Sequence, residues 1–178
     1  DAARERLEQA IATYEELGGP QSPELVTVLQ TSGELLQTTG KYDEARAAFD
    51  RAMTIVSATD GESHPKIARL LNGIGNVLQR QAKFEEAEKI QSQAYELLEA
   101  AYGADHPDVA SVALNLGEIA LKRGDLETAY ERYAQGHRAF EAAFGPEHPM
   151  VGTSLLKMGA ARQLQENNDE AIVLYQRA

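Results

Sequence analysis

The 178-residue sequence contains no cysteine and no tryptophan, and aromatic residues make up only 6% of it. Without cysteine, disulfide bonds, thiolate metal sites and a cysteine nucleophile are excluded. No run of about 18 apolar residues occurs, which argues against a membrane-spanning helix. Basic residues are scarce too, because 28 acidic side chains against 17 basic ones leave a formal charge of -11. This balance argues against a general binder of nucleic acid or anionic membranes, and a cytoplasmic location is the default expectation.

Motifs for catalysis are also missing from the sequence. There is no P-loop, no Gly-x-Ser-x-Gly and no His-Glu-x-x-His. Acidic pairs such as Glu85-Glu86 are typical of solvated helix faces. We therefore expect a non-enzymatic protein that needs no cofactor.

Three of the four histidines recur at one spacing. His64, His106 and His148 lie 42 residues apart, which is too far for them to share a metal ion. Each precedes a proline, so we expect these histidines to cap turns. His137 has no apparent partner in the sequence, and we predict no metal site.

An internal repeat of 42 residues runs through the chain. Gly-x-x-His-Pro occurs at 61–65, 103–107 and 145–149. Four further columns keep the same spacing. They are Gly33, Gly75, Gly117 and Gly159; Ala45, Ala87, Ala129 and Ala171; Phe49, Gln91, Tyr133 and Tyr175; and Ala52, Ala94, Gly136 and Ala178. Columns in register across four copies identify a repeat protein.

Each period predicts two helices. The first begins at Pro23, Pro65, Pro107 or Pro149, because proline suits the first helical position, and Ser22 is the expected N-cap of the earliest copy. The second begins near Tyr42, Phe84 or Leu126. Apolar residues follow helical spacing and no window alternates as a strand does, so the chain is predicted to be all-α.

Small residues suggest how the helices meet. We expect Gly75 to lie opposite Ala87 and Ala94, where two backbones approach closely. One hairpin alone cannot bury its apolar face, so the copies must stack. Tyr14, Leu98 and Phe140 occupy equivalent positions on second helices and are predicted to be core residues. Arg162 occurs where Leu36, Leu78 and Ala120 occur, so the fourth copy is divergent.

The pattern of Gly, Ala twelve residues on, an aromatic four later and a small residue three later resembles the tetratricopeptide repeat. The period of 42 instead of 34 is similar to that of kinesin light chain repeats. Lys83-Phe84-Glu85-Glu86-Ala87 is a good match, and the resemblance covers essentially the whole chain. It implies a right-handed α-solenoid of antiparallel helix hairpins that serves as a scaffold for protein partners.

The repeats predict a single domain over 1–178. Residues 1–22 align with the second helix of a preceding repeat, and full repeats follow at 23–64, 65–106 and 107–148. Residues 149–178 form an incomplete repeat. We expect the chain to be a piece of a longer array, or one whose ends pair with something.

The resemblance implies a concave groove lined by the first helices, and charge indicates its ligand. The segments 24–39, 66–81, 108–123 and 150–165 sum to +3, which leaves -14 for the remainder. An extended, acidic peptide is the ligand that this asymmetry favours. The alternative is that these charges only solvate exposed faces.

Asparagine supports a peptide ligand, because its amide both donates to and accepts from a peptide backbone. Asn76, Asn115 and Lys157 resemble three members of the family's carboxylate clamp, whereas Asn72 and Thr153 occupy its remaining basic positions, so the full clamp is not present. Alternatively, the amides bond neighbouring helices or water. The residues predicted to bind peptide are Arg69, Asn72, Asn76, Arg80, Asn115, Glu118, Lys122 and Lys157.

Two other functions remain open at the level of the sequence. One is a self-assembling module that stacks through its ends to form a homo-oligomer. The other is a regulatory array within a larger signalling protein, such as a bacterial kinase.

Overall fold

A computed structural model describes residues 2–178 of the chain, and Asp1, the first residue of the predicted segment 1–22, lies outside them. Over this described range the chain forms nine helices and no strand. They are α1 (Ala2–Gly18), α2 (Leu25–Thr38), α3 (Tyr42–Asp60), α4 (Pro65–Arg80), α5 (Phe84–Tyr102), α6 (Pro107–Lys122), α7 (Leu126–Phe144), α8 (Pro149–Leu164) and α9 (Asn168–Arg177). The even-numbered helices are the predicted first helices. The chain divides into two compact units, Asp1–Ile90 and Gln91–Ala178.

Histidine and proline together start three of the four first helices. In α4, α6 and α8 the proline is the first helical residue and the preceding histidine is the N-cap. The Nδ1 atoms of His64, His106 and His148 accept from the backbone N–H two residues on, at 3.1–3.2 Å. The predicted capping role of these histidines is confirmed, and it satisfies one backbone donor that the first turn leaves free.

The start of α2 differs from the other three. Its N-cap is Glu24, which makes no side-chain capping bond, and the helix begins at Leu25. The prediction that Ser22 caps this helix is wrong. Ser22 is buried, and its hydroxyl donates to the Glu24 carboxylate instead.

In the first unit, α3 packs against α2 and α4, and its Phe49 is completely buried between them. Both neighbouring helices present a glycine to this ring. A methyl group on Gly33 would lie 2.8 Å from the ring, and one on Gly73 would lie 2.7 Å from it. Each glycine therefore makes room for Phe49 by having no side chain.

The second unit repeats this contact. Gly117 faces the ring of Tyr133 on α7, and Gly159 faces the ring of Tyr175 on α9. A methyl group on Gly117 would also lie 3.1 Å from the backbone oxygen of Ala129, the equivalent of Ala87, and in both hairpins the ring lies sixteen residues after the glycine. Tyr133 and Phe140 are each 1% exposed and belong to a core cluster formed by α6, α7, α8 and α9.

Two of the three second-helix residues predicted as core are confirmed. Leu98 and Phe140 are each 1% exposed, whereas Tyr14 is 37% exposed, so its assignment was wrong. Helix α7 packs against α6 and α8, whereas α1 packs against α2 and has no buried residue. Tyr14 therefore lies on a helix that one neighbour covers incompletely.

The divergent Arg162 is accommodated by a polar network in the second unit. Its guanidinium lies 3.5 Å from the centre of the Tyr130 ring, and its Nε lies 2.9 Å from the Glu170 carboxylate. The Tyr130 hydroxyl also donates to Glu170 at 2.9 Å. A cation between a ring and a carboxylate replaces the apolar contact of the other repeats and connects α7, α8 and α9.

Candidate functional site

The first helix α6 is buried on every side except one narrow stripe. Of its sixteen residues, nine are buried, and they are all apolar or glycine. The remainder lie at helical spacing along the stripe or at the helix ends; they are Pro107, Asp108, Ser111, Asn115, Glu118, Leu121 and Lys122. Three residues of the predicted site therefore fall on the only part of α6 that a ligand can reach.

The same arrangement occurs on α4 in the first unit. Arg69, Asn72, Asn76 and Arg80 follow one another at spacings of three and four residues, which places them on one face of the helix. The asparagines are half-buried and the arginines are exposed, whereas the opposite face is buried. This stripe combines two amides with two cations.

Between α6 and α8 in the second unit, two predicted site residues form an ion pair. Lys157 Nζ donates to Glu118 Oε2 at 2.7 Å, and the two side chains are 35% and 31% exposed. Thirty-nine residues separate them along the chain. The stacking of consecutive repeats brings the two first helices together and closes this contact.

Tyr133 of α7 lies at the same ion pair. Its hydroxyl donates to Glu118 Oε2 at 3.3 Å, and Lys157 Nζ lies 5.5 Å from the centre of its ring. In the sequence Tyr133 is recognisable only as a member of the repeat column that also contains Phe49 and Tyr175. The hydrogen bond from its hydroxyl to Glu118 depends on the tertiary structure, so neither composition nor spacing could have predicted it.

The contacts between Glu118, Lys157 and Tyr133 shift the pKa values of the carboxyl and the phenol. Burial raises the pKa of the Glu118 carboxyl, but the hydrogen bond from Lys157 and the charges of Lys157 and Lys122 outweigh it and hold the pKa below its usual value. Burial, together with the neighbouring Glu118, raises the pKa of the Tyr133 hydroxyl. Glu118 is therefore ionised and Tyr133 neutral at pH 7.

Outside the first-helix stripes, a buried polar pair connects α7 to α8. His137 is 7% exposed and Ser154 is fully buried, and His137 Nδ1 lies 3.0 Å from Ser154 Oγ. Since Ser154 Oγ donates to the carbonyl of Val151 at 2.6 Å, it must accept from Nδ1–H of the histidine. In the neutral imidazole this assignment leaves His137 Nε2 without a proton, 3.9 Å from the Glu141 carboxylate.

A second polar cluster lies between α5 and α7. The Tyr95 hydroxyl donates to Glu99 at 2.7 Å and accepts from the side-chain amide of Gln135. The guanidinium of Arg132 lies 5.4 Å from the centre of the Tyr95 ring. Burial and Glu99 raise the pKa of Tyr95 to about 12. These contacts hold second helices together and form no convergent site.

Residues 2–178 contain no group of three or more histidine, aspartate or glutamate side chains arranged to hold a metal ion. Two of the capping histidines instead stack on aromatic rings of the preceding helix. The ring centres of Tyr102 and His106 are 4.3 Å apart, and those of Phe144 and His148 are 4.4 Å apart. None of the helices in the described part of the chain is long and apolar enough to cross a membrane.

Comparison with known proteins gives one matching family model, described as Tetratricopeptide repeat. It matches residues 1–58, 31–100, 66–135 and 108–178, so the matches together span the chain. A search of curated proteins gives no match.

Several solved structures share the fold at low sequence identity. BtubC (BKLC) from P. vanneervenii is 21% identical with a TM-score of 0.83, over 97% of this chain and 71% of that one. The nearly identical TPR-like repeats of a kinesin light chain-like protein from Podosopora anserina are 20% identical with a TM-score of 0.76, over 99% of this chain and 83% of that one. A Rap protein complexed with Competence and Sporulation Factor is 15% identical with a TM-score of 0.84, and this chain covers 47% of it.

Proposed function

Because the chain belongs to the tetratricopeptide repeat family, we propose that it is a non-catalytic scaffold that binds an extended, acidic segment of a partner protein along its first helices. Tetratricopeptide repeats are a protein-interaction fold, and a protein partner is what the family membership supports. In addition to a protein partner, we propose the groove, the acidic character of the ligand and the residues that contact it. A cytoplasmic location stays a prediction.

The observation that carries the proposal is the unburied polar stripe on each of two first helices. On α4 it consists of two asparagines between two arginines, and on α6 it contains Asn115, Glu118 and Lys122. Amides hydrogen-bond a peptide backbone whatever its side chains are, and cations attract acidic side chains. The Rap structure, which was solved with its factor bound, adds support, because a related fold holds a ligand.

The test is a peptide-array screen of the chain at low and at high salt. We expect acidic, extended peptides to bind at low salt and to weaken as salt screens the cations. A variant with Asn76→Ala, Asn115→Ala and Lys157→Ala should lose these peptides while its helix content, measured by circular dichroism, stays unchanged.

A matched control removes the same side-chain types from outside the stripes. The variant with Gln93→Ala, Gln176→Ala and Lys89→Ala takes two amides and one lysine from exposed positions on second helices. It should bind as the unmodified chain does. Peptides that bind both triple variants equally would place the binding surface elsewhere, and the proposed groove would then be wrong.

Self-association is a second candidate function, favoured by exposed apolar side chains on α8 and α9. Leu156, Leu164, Ile172 and Val173 are between 51% and 58% exposed. Burial of these side chains against a second copy would be favourable. Sedimentation velocity over a hundredfold range of concentration distinguishes the two, because only self-association makes the sedimenting mass rise with concentration.

A further inference from the structure

In the ion pair of Glu118 and Lys157, the Glu118 carboxylate contacts the same ammonium that an acidic ligand would contact. Lys157 is the one basic residue that the predicted site takes from α8, and its ammonium already contacts a carboxylate at 2.7 Å. The pair has no net charge. A ligand carboxylate that approaches Lys157 therefore meets Glu118 at close range, and like charges repel.

Glu118 is held in this position by more than Lys157. The same carboxylate oxygen accepts from the Tyr133 hydroxyl at 3.3 Å, and Tyr133 is itself 1% exposed, with its ring packed against Gly117. Because the phenol is buried and bonds the same oxygen that accepts from Lys157, it helps to hold the Glu118 carboxylate on the stripe.

This arrangement is confined to one pair of repeats. One and two periods before Glu118 the chain has Asn76 and Glu34, and before Lys157 it has Asn115 and Gly73. The equivalent pairs in the earlier repeats are therefore Asn76 with Asn115 and Glu34 with Gly73. Only Glu118 and Lys157 combine an acidic residue with a basic one. The pair is therefore a feature of this position and not of the repeat.

We propose that Glu118 is the residue that determines ligand charge in the part of the groove formed by α6 and α8. It occupies Lys157 as an internal carboxylate, so the ligand presents a neutral hydrogen-bonding group there and carries its acidic side chains at other positions. Lys157 has three N–H donors, of which Glu118 takes one, and the remainder serve a neutral acceptor such as a peptide carbonyl. This inference rests on the proposed function, because it assumes that a peptide lies on the stripe.

The test measures binding of fluorescein-labelled decaglutamate by fluorescence anisotropy at low salt. Glu118→Gln keeps the size of the side chain and removes its charge, which leaves the ammonium of Lys157 for the probe. We expect this variant to bind decaglutamate at least five times more tightly than the unmodified chain. Glu118→Ala should show the same gain, and adding Lys157→Met to Glu118→Gln should abolish it.

Two controls separate this effect from a general change in charge. Glu131→Gln removes one negative charge from an exposed position on α7, and it should change decaglutamate affinity by less than twofold. Labelled decaglutamine, a neutral probe, should bind the Glu118→Gln variant and the unmodified chain with affinities within threefold of each other. Circular dichroism confirms that each variant keeps its helix content.

The failure of this inference is distinguishable from the failure of the proposed function. Equal decaglutamate affinity in the Glu118→Gln variant and the unmodified chain, or an equal gain in the Glu131→Gln variant, overturns the role of Glu118 and leaves the groove intact. Absence of decaglutamate binding by every variant overturns the role of Glu118 and the acidic ligand together.

Discussion

His137 shows how one residue changes the chemistry of a repeat junction. The earlier second helices have Met53 and Tyr95 at the equivalent positions, and the earlier first helices have Leu70 and Val112 where α8 has Ser154. At these two positions the later helices α7 and α8 instead have a buried hydrogen bond between an imidazole and a hydroxyl. Burial and two arginines, Arg138 and Arg177, lower the pKa of this histidine, and only Glu141 acts in the opposite direction.

The lowered pKa of His137 predicts that acid destabilises the fold. Above the ordinary histidine pKa of about 6.5 the imidazole is neutral in both folded and unfolded states, and its contribution to stability is fully present. As the pH falls through that value, the unfolded chain binds the proton first, so the free energy of unfolding decreases. Urea unfolding at pH 7.5, 6.5 and 5.5 measures this decrease.

The comparison that isolates His137 uses the variant His137→Gln, which does not titrate. Other groups contribute equally to both proteins and cancel in the difference. The unmodified chain should lose more unfolding free energy than the variant between pH 7.5 and pH 5.5. Parallel pH profiles would show that His137 contributes nothing in this range.

At the scale of the helices, the hairpins depend on glycine opposite an aromatic ring. Alanine is favoured over glycine inside a helix by about 1 kcal/mol, yet α2 keeps Gly33 and α4 keeps Gly73 on either side of Phe49. A methyl group 2.7–2.8 Å from the ring is closer than van der Waals contact allows. Packing therefore outweighs intrinsic helix propensity at both positions.

Gly33→Ala should destabilise the chain by about 1–3 kcal/mol, the usual effect of overpacking a filled core. Ser32→Ala, at the preceding position of α2, is the matched control and should be neutral or slightly stabilising, because alanine is the better helix former. Urea unfolding monitored by circular dichroism measures both.

A double-mutant cycle identifies the ring as the cause of the Gly33→Ala effect. In the background of Phe49→Leu the ring is gone, so the same substitution should have a smaller effect on the free energy of unfolding. Stabilisation by Gly33→Ala in the unmodified chain would contradict the role assigned to the glycine.

At the scale of the whole molecule, charge is distributed unevenly between the two kinds of helix. The first-helix segments carry +3 and the remainder carries -14, so repulsion among acidic groups is concentrated outside the first helices. Many ion pairs among the described residues are exposed; Arg4 with Glu8 and Lys41 with Glu44 are examples. Exposed pairs of this kind stabilise a fold little, so the net charge of -11 should dominate.

Moderate salt should therefore stabilise the molecule. Raising sodium chloride from 20 to 200 mM shortens the Debye length to less than about 10 Å and screens the acidic repulsion. We expect Tm, measured by differential scanning calorimetry, to rise by about 2–4 °C, which corresponds to less than about 2 kcal/mol for a chain of this size. A fall in Tm would mean that the attractive ion pairs outweigh the net repulsion.

Local signals made most of the fold predictable. Proline at the first helical position, histidine before it and apolar residues at helical spacing all act within a few residues of chain, and α4, α6 and α8 begin where these signals place them. Ser22 misled the prediction for α2, because its hydroxyl bonds Glu24 instead of the backbone. The 42-residue period also placed Asn76, Asn115 and Lys157 on first helices.

Contacts between helices could not be derived in this way, because they depend on how repeats stack and not on spacing within one repeat. The positions of these residues in the sequence do not show that Lys157 and Tyr133 both donate to the Glu118 carboxylate. Nor do they show that His137 hydrogen-bonds Ser154. The exposure of Tyr14 follows from the number of helices that pack against α1. The chain's periodicity was enough to predict the repeat, its helices and its exposed faces, whereas the pairing of charged and aromatic side chains arose only when neighbouring helices came into contact.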